Sequence, residues 1–327
     1  MATIYDVAER ARVSTATVSA VLNGTTYVSP ELTKRVRAAV KALDYTVNEL
    51  ARSVKISATR TVGMLIPDIA SPFYARVVRG VEDVLRREGY SLLLGNTYND
   101  VAEQSRCLSV FRAKQADGLL LFVAPGEAED VRRLVATKKP VVFVGREPRG
   151  FKADTVVSDN AQGTSLAIKR LIRRGHRRIG LVTGHLSLST GADRVTGWRR
   201  TLRKHRLPAD DRYVAVGKWT VESGQAAAAQ LLALDPPPTA IFAGNFLMMV
   251  GVLRAIRARG LTSPQDVEVM SSDDSEWLDV FEPRISTVEQ PSYALGTESA
   301  ELLLKRIRRP QRRFERIVLA PSLRERD

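Results

Sequence analysis

The sequence predicts an all-α helix-turn-helix head, a short connecting segment, and an α/β region folded as two parallel-sheet lobes. Three observations predict it. The first 45 residues hold three short stretches whose apolar residues recur at helical spacing. From residue 61 onward, strand-like apolar runs alternate with amphipathic helical stretches, the texture of βαβ units with parallel strands. These runs outnumber what one sheet comfortably holds, which divides the region into two similar lobes.

In residues 4–11, Ile4, Val7, Ala8 and Ala11 share one helix face. Arg12, Val13 and Ser14 make a turn, and across residues 15–22 Val18, Val21 and Leu22 form the next apolar face. Two helices of about two turns each, joined so closely, are a helix-turn-helix candidate. A third helix starts cleanly: Ser29 is a good N-cap, Pro30 suits the first helical position, and Glu31 complements the helix dipole. Leu32, Val36, Val40 and Leu43 form its core-facing stripe. Residues 48–55, capped by Asn48 with Leu50 and Val54 at i,i+4, make a candidate helix of two turns that is too short to be stable alone. Largely buried strands are then expected at 61–67, 90–97, 118–123, 140–145 and 155–159, and at 178–184, 213–219, 240–245, 267–273 and 285–290. Helices at 73–88, 162–173 and 224–234 lie among them, and 317–323 is strand-like as well.

The chain has 327 residues, 44% of them apolar, ample for more than one core. No apolar run approaches the roughly 20 residues of a membrane span, and residues 1–6 lack a signal-peptide core, so the expected place is the cytoplasm, with no membrane partner. The single cysteine, Cys107, excludes an intramolecular disulfide and a cysteine-rich metal site, and reads as a small buried hydrophobe. A net charge of +14 points to a polyanionic partner. Residues 1–60 carry nine Lys/Arg against five Asp/Glu, so most of the surplus lies elsewhere, including 305–316, which reads as a solvated helix face and turn. The motifs GxSxG, HExxH, the P-loop and GxGxxG after the first strand are missing. His176, His185 and His205 stand in basic or loop contexts that suit surface or capping roles, and Asp273-Asp274 has no companion cluster for a metal. Neither an enzyme nor a bound metal or cofactor is expected.

The strings Thr3-Ile4-Tyr5-Asp6-Val7-Ala8, Val13-Ser14-Thr15-Ala16-Thr17-Val18-Ser19 and Leu22-Asn23-Gly24, with the hinge at 48–55, closely resemble the lac repressor family of transcriptional regulators. Asp117-Gly118-Leu119, Ser158-Asp159-Asn160, Arg174-Gly175-His176-Arg177-Arg178-Ile179, Arg194-Val195-Thr196-Gly197-Trp198 and residues 285–290 follow in the family's order. The resemblance covers essentially the whole chain, and the family's purine repressor stands close in length and register. It implies a DNA-binding domain at 1–46, a hinge helix and linker at 47–60, and a periplasmic-binding-protein-like α/β sensor at 61–327. The N-lobe would take 61–158 and 290–318 and the C-lobe 159–289 and 319–327, with three crossings and the ligand in the cleft between. The function implied is a ligand-responsive repressor on a palindromic operator in double-stranded DNA. A homodimer is expected, because family tetramers carry an extra C-terminal leucine-heptad helix where this sequence runs to Arg326-Asp327.

On that resemblance, Thr15, Ala16 and Ala20 would face base edges in the major groove, and Ser14, Thr17, Ser19, Asn23 and Tyr45 would take phosphates; Ser14 reads equally as a plain helix N-cap. Val54 would be the minor-groove wedge, where the family usually has leucine, and reads alternatively as packing against the hinge of its dimer mate. The cleft would be lined by Phe73, Tyr74, Asp159, Thr190, Arg194, Trp219, Asn245 and Asp273. Arg194 with Asp273 and Asp159 suits vicinal hydroxyls or a heterocycle edge, and Trp219 and Phe73 offer flat faces. Trp219 reads equally as core, and Asp159 as half of an interlobe salt bridge. Phe246 follows Asn245 where many members have aspartate, and Leu188 replaces an arginine that contacts purine in the purine repressor. The effector expected is therefore a sugar or sugar derivative, with a nucleobase or nucleoside as the alternative.

Overall fold

A computed structural model of the chain describes residues 2–24, 26–45, 59–126, 129–148 and 150–326. The hinge at 48–55, with Val54, lies outside the described residues. The chain divides into two compact units, Met1–Thr59 and Arg60–Asp327.

In the first unit the expected helices form: α1 (Ile4–Ala11), α2 (Thr15–Asn23) and α3 (Pro30–Ala42). Thr3 and Asp6 close a capping box on α1, Ser14 caps α2 by accepting from the Thr17 N–H at 3.1 Å, and Ser29 caps α3. Val7, Ala8, Ala11, Val18, Val36 and Ala39 form the buried core, with Val40 and Leu43 packed around it. Arg12 takes the left-handed conformation at φ 51° and ends α1. Arg35 reaches across from α3 and donates to the carbonyls of Ala11 and Arg12, so the turn between the first two helices is clamped by the third.

The second unit holds two six-stranded sheets. The first orders β11 (Arg316–Leu319), β5 (Asp154–Ser158), β4 (Val141–Val144), β3 (Gly118–Leu121), β1 (Thr61–Ile66) and β2 (Ser91–Asn96), every pair parallel. The second orders β12 (Ser322–Arg324), β10 (Thr287–Glu289), β9 (Glu268–Ser272), β8 (Ala240–Ala243), β6 (Ile179–Thr183) and β7 (Val214–Val216), with only β12 antiparallel. The chain passes between sheets after β5, after β10 and between β11 and β12.

Helices α4 (Pro72–Arg87), α5 (Val101–Ala113), α6 (Glu129–Ala136) and α11 (Ser292–Arg308) cover the first sheet; α7 (Asn160–Arg173), α8 (Ser189–Lys204), α9 (Val221–Leu232) and α10 (Phe246–Ala258) cover the second. Their apolar faces bury Val77, Val81 and Leu303 on one sheet and Leu171, Trp198 and Met248 on the other. Helices α4 and α11 touch backbone to backbone, since a Cβ on Gly80 would lie 2.4 Å from the Tyr293 carbonyl oxygen, and one on Gly296 would lie 2.1 Å from that of Val77.

Several expectations are corrected. Residues 317–323 are not one strand: β11 and β12 belong to different sheets, separated at Ala320-Pro321, where proline has no N–H for a ladder. Strand β2 is an edge strand with Leu94 41% exposed, so it is only partly buried. The basic run 305–316 is not wholly solvated, because Arg306 is buried and donates to Asp154. His176 is not a surface residue: it bonds Thr239 at 2.9 Å and Glu268 at 2.8 Å. Burial would raise the Glu268 carboxyl, but hydrogen bonds from His176, Arg174 and Arg170 together outweigh it and hold it down at about 2. Among the described residues no helix is long and apolar enough to cross a membrane, and no cluster of three His, Cys, Asp or Glu could hold a metal.

Candidate functional site

Parallel strands place their carboxyl ends, and the amino ends of the helices that follow, at one edge of each sheet. The two edges face each other across a cleft with a cavity of about 50 Å³. Phe122 and Arg146 reach it from beyond β3 and β4, Ser158 from the end of β5, Trp219 from beyond β7, and Asn245, Asp273 and Gln290 from beyond β8, β9 and β10.

Of the residues expected in the cleft, the structure brings together Phe73, Tyr74, Thr190, Arg194, Trp219, Asn245 and Asp273. Asp159 does not join them. As N-cap of α7 it accepts from the Gln162 N–H at 2.8 Å and lines a neighbouring hollow with Asp193 and Arg316, while Ser158 and Asn160 on either side face the cleft. Leu188 also lies outside it, in a hollow with Arg132 and Phe151. Phe246 starts α10 and packs on the core of the second lobe.

One wall is aromatic: Phe73, Tyr74 and Phe122 meet edge to face, with centroids 5.1 to 6.4 Å apart. Trp219 supplies another flat face. A Cβ on Gly184 would stand 1.9 Å from its ring, so only glycine admits the indole there. Asn245 secures it, donating from Nδ2 to the Trp219 carbonyl at 3.3 Å while its Oδ1 caps α10 by accepting from the Met248 N–H. The Arg194 guanidinium lies 5.2 Å from the indole centroid and donates to the Thr190 carbonyl and to Ser272 Oγ. Among the described residues, Trp219 Nε1 and Thr190 Oγ1 are buried without a hydrogen-bond partner. Such groups are costly to leave unmet, and a polar ligand would satisfy them.

Sequence reasoning missed Arg146, Ser158, Asn160 and Gln290. Ser158 donates to Gln290 Oε1, whose Nε2 donates to Ser272 Oγ at 3.1 Å, so a buried chain of side chains links both lobes to Arg194. Their places at strand carboxyl ends were the available signal.

Burial outweighs the pull of the Arg194 charge and of the Phe246 N–H and pushes the Asp273 carboxyl up to about 6. A ligand hydroxyl donating to Asp273 favours its ionised form, so effector affinity is expected to weaken about tenfold between pH 7 and pH 5, and Asp273→Asn to remove that dependence. Calorimetric titration at the two pH values checks it. The folded-state value exceeds the ordinary 3.8, so ionising Asp273 costs stability as pH rises from about 4 to 6.

In the first unit Ser14 is exposed and bonds Thr17 Oγ1 as well as the Thr17 N–H. Thr15 and Ala20 are half-buried and Ala16 is exposed on α2; Ser19 is half-buried, and Tyr45 packs against the core. Asn23 ends α2.

Residues 3–48 match the bacterial regulatory proteins of the lacI family, and residues 168–327 match a periplasmic binding protein-like domain. The chain is 37% identical over 329 residues to the ribose operon repressor of Escherichia coli (strain K12), covering 100% of this chain and 99% of that one. It is 36% identical over 334 residues to the HTH-type transcriptional repressor PurR of Pectobacterium atrosepticum, covering 100% and 96%. The lac repressor dimer bound to operator and the anti-inducer ONPF superposes with a TM-score of 0.87 at 26% identity, over 99% of this chain and 98% of that one.

Proposed function

The chain belongs to the lacI family of bacterial regulatory proteins, a DNA-binding regulator and not an enzyme, and from that premise we propose that it is a repressor whose operator binding answers to a sugar or sugar derivative in the interlobe cleft. The observation that carries this reading is Arg194 and Asp273 buried beside the Trp219 face. A guanidinium donates and a carboxylate accepts, which is what two neighbouring hydroxyls require, and an apolar sugar face stacks on indole. Similarity to a ribose operon repressor supports the same class.

In this reading the protein works in the cytoplasm as a homodimer on a palindromic site, with residues 1–46 as the DNA-binding domain, 47–60 as hinge and linker, and 61–327 as the sensor. Thr15, Ala16 and Ala20 face bases, Ser14, Thr17, Ser19, Asn23 and Tyr45 take phosphates, and Val54 enters the minor groove. Thr190, Asn245, Phe73 and Tyr74 complete the effector site.

A thermal-shift screen of ribose, other pentoses and hexoses and their derivatives, with adenine and guanine alongside, tests the class. A sugar present at 100 times its Kd is expected to stabilise the protein by about 2.7 kcal/mol. Stabilisation by a purine base and by no sugar would replace this reading with a nucleobase effector.

A further inference from the structure

We infer that the effector is anionic: a compact sugar derivative carrying a phosphate or a carboxylate, held between Arg146 of the first lobe and Arg194 of the second. This rests on the sugar reading of the same cleft and names its charge. Arg146 and Arg194 both line the cleft and are 3% and 6% exposed. Among the described residues neither has a carboxylate within 4 Å. Asp273 is the one carboxylate among the lining residues, so two guanidinium charges face a single acid. Asp193, next to Arg194 on α8, lines the neighbouring hollow with Asp159 and Arg316.

Neutral acceptors hold Arg146 without cancelling its charge: it donates to the Val123 carbonyl at 2.6 Å and to Asn99 Oδ1 at 2.7 Å. Burial first holds each arginine below the ordinary guanidinium range; on Arg194 the Asp273 charge is the largest opposing influence, and the charge of Arg146 adds a smaller lowering. His185, near by, is likewise lowered by burial and then by Arg146 and Lys218. A buried cation that lacks a counter-ion is costly, and a ligand that brings the missing negative charge gains what the fold leaves unmatched. Guanidinium forks match the paired oxygens of carboxylates and phosphates. Because the two arginines come from different lobes, one anion bridging them would also favour lobe closure.

Calorimetric titration of the full chain tests this with ribose 5-phosphate and glucose 6-phosphate, with glucuronate, and with neutral ribose and glucose. Expected is affinity for an anionic member at least about tenfold above its neutral parent, the factor that one charge-assisted contact supplies. The phosphate and glucuronate arms decide which anion is meant. In Arg146→Met the ratio of anionic to neutral affinity should collapse toward one, and Arg146→Lys should keep part of it. If Arg146→Met does not fold, the wild-type ratio and Arg146→Lys decide. Equal or tighter binding of the neutral parent would overturn the anionic assignment and leave the sugar reading standing. Binding of adenine or guanine with no sugar, neutral or charged, would overturn both.

Discussion

Asp154→Ala is expected to destabilise the second unit by about 3–5 kcal/mol, the usual penalty for stripping one partner from a buried ion pair. Asp154 is fully buried at the start of β5 and takes Arg306 of α11 through two bonds, from Nε at 2.8 Å and Nη2 at 3.1 Å. It also accepts the Glu315 N–H at 2.8 Å, at the approach to β11. Arg306 donates further to the carbonyls of Pro310, Arg312 and Arg313 and stacks over Phe314. Removing the carboxylate would leave a buried guanidinium that cannot lose its proton and has only neutral carbonyls for partners, and would free the segment that feeds β11 into the sheet. Urea unfolding checks it. The double variant Asp154→Ala with Arg306→Met should recover part of the loss, since no lone charge then remains. A loss below about 1 kcal/mol in the single variant would show that water reaches the pair and that burial does not govern it.

Arg194→Ala is expected to weaken the effector by roughly thirtyfold to several thousandfold, the span of about 2–5 kcal/mol for truncating one member of a buried charged hydrogen-bonded set. Its guanidinium holds Ser272 Oγ and lies over Trp219, so the loss removes a ligand donor and loosens the flat face together. Operator affinity without effector should stay close to wild type, because Arg194 belongs to the second unit and the helix-turn-helix to the first. Equal losses in effector and operator affinity would mean that the variant acts through folding.

The helix-turn-helix was legible because its signals are local. Capping by Thr3, Ser14 and Ser29 and the spacing of Val7, Val18 and Val36 depend on neighbours a few residues away, and α1 runs from Ile4 to Ala11 as its periodicity predicts. The order of strands and helices was legible for the same reason. Edge position was not, since β2 and β11 carry the same apolar residues as inner strands and differ only in having a neighbour on one side. The cleft divided similarly. Arg194, Asp273 and Trp219 came through the resemblance, whereas Arg146 is one of 50 Lys and Arg residues, and only tertiary packing reveals that it is buried. Asp159 misled because at a strand-to-helix junction consecutive side chains diverge: Ser158 and Asn160 turn inward and Asp159 turns to cap its helix.

In the proposed function, occupancy of the cleft sets the affinity for operator. Fluorescence anisotropy of a labelled palindromic operator fragment, titrated with the full chain with and without the sugar derivative that stabilises it best, tests this most directly. Operator affinity is expected to change by about 5- to 150-fold, with no change in Arg194→Ala, and effector affinity by the same factor when operator is bound. A sugar derivative that binds the cleft and leaves operator affinity unchanged would contradict it.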